Sequence, residues 1–97
     1  MDIKVHAVHF SADQKLVDYI EEKVAKLNLF NDHIVTAEVF LRLDNTSDLE
    51  NKIGEVKILL PGKELFAKKQ AKSFEEAIDL ATEAVRKQVL KEKEKVS

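Results

Sequence analysis

Apolar side chains recur along this chain in two rhythms, and the changes of rhythm mark its elements. Ile3, Val5 and Ala7 alternate with Lys4, His6 and Val8, the period of two that gives a strand one buried face. Leu16, Val17, Ile20, Val24 and Leu27 then recur at helical spacing, with Lys15, Asp18, Glu22 and Lys26 falling mostly on the other side. This helix is expected to end near Asn28. Its start is open between two caps: Ser11, which forms a capping box with Gln14, and Asp13, which suits a later start. Val35, Ala37, Val39, Leu41 and Leu43 alternate with Thr36, Glu38, Phe40 and Arg42, the cleanest strand pattern in the chain. A polar loop follows from Asp44 to Asp48. The next strand covers Ile53 to Leu60, with Val56, Ile58 and Leu60 on one face. Pro61-Gly62 then marks a turn, in which proline presets φ and glycine supplies a positive φ. A fourth strand covers roughly Glu64 to Lys72. Ser73-Phe74-Glu75-Glu76 is a capping box, and Phe74, Ala77, Ile78, Ala81, Val85 and Val89 form the buried stripe of the helix that follows. Its end, Lys91 to Lys95, is polar on every side and is expected to fray from about residue 92.

The order β-α-β-β-β-α predicts an α+β domain. Its strand-helix-strand start implies a right-handed crossover between parallel strands. The two later connections are short enough for antiparallel pairing. A four-stranded mixed sheet with both helices on one face buries both apolar stripes together. At 97 residues, with no internal repeat or linker, the chain reads as a single domain over 1–97.

Composition narrows the chemistry. There is no cysteine, which excludes disulfides, thiolate nucleophiles and thiolate metal sites. No apolar run is long enough to span a bilayer, and the first residues lack the basic start and apolar core of a signal peptide. A cytoplasmic protein without a membrane partner is the expectation. The net charge of −2 hides a division: residues 1–50 carry 5 basic and 10 acidic side chains, and residues 51–97 carry 11 basic and 8 acidic. Lys57, Lys63, Lys68, Lys69 and Lys72 face Glu64 alone within 57–72. A phosphate backbone responds to that local field and not to the total.

Three groups of cations follow from the pattern. Arg86, Lys87, Lys91, Lys93 and Lys95 cluster in the C-terminal half of the second helix, with Lys87 and Lys91 on one face. They read either as cations along a phosphate backbone or as a solvated helix end complementing its dipole. On the fourth strand, Lys68 and Lys72 share a face with Phe66, and Lys69 shares one with Leu65. These suit RNA binding or protection of a sheet edge. Lys23 and Lys26 of the first helix would flank a groove if the helices lie side by side; taken alone they are ordinary surface lysines.

Catalysis finds no support. His6 and His9 fall on opposite faces of an extended strand and His33 lies far along the chain, poor spacing for metal ligands. Ser11, Ser47, Ser73 and Ser97 have capping, loop or terminal explanations. Gly54 and Gly62 form no phosphate-binding loop. Asp44, Asn45 and Asp48 lack the closing glutamate of a calcium loop. No metal, cofactor or small-molecule substrate is expected.

The element order and several segments resemble the hibernation promoting factor family, also described as ribosome-associated inhibitors or sigma-54 modulation proteins. The segment Val24-Ala25-Lys26-Leu27 ahead of Phe30 is similar to the family's first-helix end. Ser73 to Asp79 is similar to its second-helix start, and Lys87-Gln88-Val89 with Lys91, Lys93 and Lys95 to its basic helix end. The resemblance runs from Ile3 to about Lys95. It implies a fold like that of double-stranded RNA-binding domains and a non-enzymatic protein. It further implies binding to the small ribosomal subunit and its rRNA near the decoding centre. The 70S ribosome is then silenced in stationary phase or starvation, with help in pairing ribosomes. By its length the chain resembles a short form, expected to be monomeric when free. Carried over by position, the RNA-contacting residues are Lys23, Lys26, Lys87, Lys91 and Lys93; Arg86 and Lys69 join them on physical grounds. Glu75 stands where relatives often carry an aromatic residue.

The rival class is a protein–protein adaptor working through the open sheet face or a sheet edge, which the acidic first half favours. Steep salt dependence marks RNA binding and separates the two.

Overall fold

A computed structural model describes residues 1–45 and 49–96, with side chains through Glu92. The elements are β1 (Asp2–Ala7), α1 (Gln14–Ala25), a 3-10 turn (Lys26–Leu29), β2 (Thr36–Leu43), β3 (Lys52–Leu60), β4 (Lys63–Ala71) and α2 (Phe74–Val96). They build one four-stranded sheet in the order β1-β2-β3-β4. β1 runs parallel to β2, and the other two pairings are antiparallel. The α+β architecture with a mixed sheet expected from the sequence is therefore present.

The core is a single layer between the sheet and the helices. Ile20, Val24 and Leu27 pack from the first helical segment, and Ile78, Ala81, Val85 and Val89 from α2. They meet Ala37, Val39 and Leu41 of β2, Val56 and Ile58 of β3, and Leu65 and Ala67 of β4. Each fully buried Val, Leu or Ile among them contributes about 1.5–3 kcal/mol of hydrophobic stabilisation. The alternation read from the sequence thus points the right faces inward.

Side-chain caps fix both helix starts. Asp13 is the cap of α1, its Oδ1 accepting from the Leu16 N–H at 2.8 Å. At α2 the Ser73 Oγ accepts from the Glu76 N–H at 3.1 Å. Gly62 takes φ +73°, as the Pro61-Gly62 turn requires.

The structure differs from expectation at two places. α1 stops at Ala25, and the residues up to Leu29 tighten into a 3-10 turn in which the Phe30 N–H donates to the Leu27 carbonyl. Such tightening satisfies carbonyls left over at a helix end, and it keeps Leu27 in the core. β1 stops at Ala7, so His9 does not share a strand with His6; it lies beyond the strand at φ +65°. His6 instead stacks on Phe40, centroids 4.9 Å apart. Thr46 to Asp48, in the expected polar loop, lie outside the described residues, as do Ser97 and the side chains of 93–96, while the backbone of α2 runs on to Val96.

Candidate nucleic-acid interface

α1 and α2 lie side by side on one face of the sheet, and a cleft of about 180 Å³ opens between them. Contacts along the seam run in step: Tyr19 meets Asp79, and further on Phe30 meets Arg86. The helices therefore point the same way, and the C-terminal end of α1 sits beside the middle of α2. Lys23, Lys26, Leu27 and Phe30 line one wall; Asp79, Thr82, Glu83 and Arg86 line the other.

The cations of this cleft are of two kinds. Lys23 and Arg86 are paired within the protein. Lys23 Nζ lies 3.4 Å from Asp79 Oδ1, which also accepts from the Tyr19 hydroxyl at 2.7 Å. The Arg86 guanidinium lies over the Phe30 ring, 5.5 Å from its centroid. It is gripped from one side by Glu83, through Nε at 2.9 Å and through Nη2. Lys26, Lys87 and Lys91 are exposed and make no ion pair among the described residues.

The titration shifts follow this geometry. The hydrogen bond from Arg86 holds the Glu83 carboxyl below the ordinary carboxylate value, with Lys87 and Lys23 adding to the effect. The same hydrogen bond raises Arg86. Tyr19 is raised, first by its hydrogen bond to Asp79 and then by desolvation and the nearby negative charge. At the floor of the cleft Thr82 is buried, and its Oγ1 finds no hydrogen-bond partner among the described residues.

Lys23, Lys26 and Arg86 are thus brought together, as the side-by-side arrangement predicted. Lys87 continues the row one turn past Glu83, and Lys91 one turn further. Lys69 stands apart: it lies on β4, opposite Gly54 of β3, and is exposed. The side chain of Lys93 lies outside the described residues. Asp79, Glu83 and Thr82 were not singled out by the sequence reading. The spacing of Glu83 and Arg86 at i, i+3 was the available signal for one of them; Asp79 meets Lys23 only through the fold.

The opposite face of the sheet is different in character. Arg42 bonds Glu55 at 2.7 Å, and His6 lies 3.2 Å from Glu38. Lys57 sits between Glu38 and Glu64. Among the described residues no group of three acidic or histidine side chains is placed to hold a metal ion, and no helix is long and apolar enough to cross a membrane.

Residues 3–97 match the family described as sigma 54 modulation protein / S30EA ribosomal protein. The chain belongs to this family. Within and around the S30EA ribosomal protein family, it is 32% identical over 97 residues to the ribosome hibernation promotion factor of Bacillus subtilis. That match takes in all of this chain and 51% of the relative, so the chain spans about half of that protein's length. It is 28% identical over 95 residues to the ribosome hibernation promoting factor of Pseudomonas putida, covering 98% of this chain and 89% of that protein. Among solved structures, the N-terminal domain of Thermus thermophilus Protein Y superposes with a TM-score of 0.80 at 26% identity, over 94% of this chain and 98% of that one. An S30EA-family chain therefore carries its row of cations on the helical side of the sheet.

Proposed function

We propose that this protein is a ribosome hibernation factor. In this proposal the helical face binds rRNA of the small subunit near the decoding centre, and the bound domain blocks mRNA and tRNA. Translation is inhibited in stationary phase or under stress, and inactive ribosomes are helped to pair. The observation that carries most weight is the convergence of Lys23, Lys26 and Arg86 on one cleft, continued by Lys87 and Lys91, in a chain of the S30EA ribosomal protein family. The relatives named for ribosome hibernation support the same role. Lys69 and Lys93 are proposed as peripheral contacts.

The mechanism is occupancy and not chemistry. Cations on two parallel helices neutralise phosphates and release counterions. Recognition is by RNA shape and backbone, because side chains cannot read the deep groove of an A-form helix. The protein acts as a monomer in the cytoplasm, with no cofactor.

Cosedimentation with 70S ribosomes and with isolated small subunits tests the role. Wild type should bind at low salt and lose at least about tenfold in affinity between roughly 50 and 200 mM. The Lys87→Glu, Lys91→Glu double variant should bind about tenfold more weakly or worse. Absence of ribosome binding at low salt would refute the proposal and favour a protein partner on the open sheet face.

A further inference from the structure

Granted the RNA-binding role proposed above, we infer that the cleft between the helices is a phosphate seat held closed by the protein's own carboxylates, Asp79 on Lys23 and Glu83 on Arg86. The outer lysines make first contact, and a backbone phosphate then displaces the two acids.

Geometry distinguishes this from a plain row of cations. Two of the three cations lining the cleft are already spoken for: Lys23 lies 3.4 Å from Asp79, and Glu83 holds two nitrogens of Arg86. Lys26, Lys87 and Lys91 on the same side are open among the described residues. Both acids come from α2, the helix that carries Lys87 and Lys91, so they lie inside the footprint. The pairs are loose: the Lys23 and Asp79 side chains retain 38% and 41% of their exposure, and those of Arg86 and Glu83 retain 30% and 52%. Exposed pairs of this kind are weak and easily exchanged. A phosphate brings a full charge and several acceptor oxygens, well matched to a guanidinium already held over Phe30. Thr82, which lines the same cleft, has a buried hydroxyl with no hydrogen-bond partner among the described residues.

A consequence for binding follows. A phosphate that takes over a paired cation sheds its condensed counterion, but the carboxylate it displaces is left to attract one, so the net release is small; an open cation gives the full release. Lys23 and Arg86 should therefore contribute little to the salt dependence of the wild-type protein, although they lie at the centre of the site.

The test is binding of purified small ribosomal subunits across a salt series. The Asp79→Asn, Glu83→Gln variant keeps side-chain shape and leaves an acceptor for Tyr19. It should bind about three- to tenfold more tightly at low salt, with a log–log salt slope steeper by about 1–2. The Glu38→Gln, Glu64→Gln variant makes the same charge change on the open sheet face and should shift affinity by less than about twofold. Adding Arg86→Gln should cost several-fold more in the neutralised background than in wild type. Thermal melts of each variant confirm the fold. Affinity unchanged or lowered in Asp79→Asn, Glu83→Gln, or a gain matched by the open-face variant, overturns the inference while leaving ribosome binding intact. A wild type that binds no subunits refutes the role itself.

Discussion

Tyr19 is the only tyrosine in the chain, and there is no tryptophan. Its hydroxyl donates to Asp79, a carboxylate that also holds Lys23. This bond, together with the adjacent negative charge, favours the protonated phenol and raises its titration above the ordinary tyrosine value. The sign of the linkage follows: a raised value in the folded state means a stabilising contribution that is present below the unfolded tyrosine value. It is lost as pH climbs through the folded one. Tyrosinate absorbance therefore reports on one residue alone. Its midpoint should lie above that of a free tyrosine, and Asp79→Asn should bring it down. An unmoved midpoint in Asp79→Asn would show that Asp79 is not the cause. Glu83 runs the other way, since Arg86 keeps it ionised to lower pH.

Between elements, α2 packs tightly against the sheet at Gly54 of β3. A Cβ placed there would meet Ile78 Cδ1 at 2.8 Å and Ala77 Cβ at 3.2 Å. The missing side chain lets α2 settle onto the sheet, which sets the height of the cleft wall that Asp79, Thr82 and Arg86 form. Gly54→Ala should cost about 1–3 kcal/mol through overpacking, read as a lower melting temperature. A variant as stable as wild type would show that Ile78 yields without cost. The strand and helix patterns were legible because each is a local periodicity: Val39 and Leu41 on β2, and Ala81, Val85 and Val89 on α2, are buried as their spacing requires. Ser73 declared its cap by its spacing to Glu76. Asp13 could be preferred over Ser11 only once the chain path was known. The pairing of Lys23 with Asp79 joins residues far apart in sequence, so no periodicity could reveal it. Gly54 gave no sign of its packing role for the same reason.

The whole molecule has two unlike sides. The helical side carries open cations around the cleft. On the open sheet face, Lys4, Arg42, Lys57 and Lys68 are balanced by Asp2, Glu38, Glu55 and Glu64, and cross-strand pairs tie much of it together. A balanced lattice of this kind offers RNA little net attraction. Lys68→Glu should therefore change ribosome affinity by less than about twofold, against about tenfold or more for reversal at Lys87 and Lys91. Equal losses on the two sides would place the RNA elsewhere. The sheet is also lopsided at its borders. β4 has its outward Phe66 carbonyl occupied by the Gln88 side chain of α2, and Lys63 beside it is strapped to Glu92. β1, at the far border, has a strand neighbour on one side only. A border tied down by its own helix is a poorer template for the strand of another chain, so growth into fibres is hindered on that side.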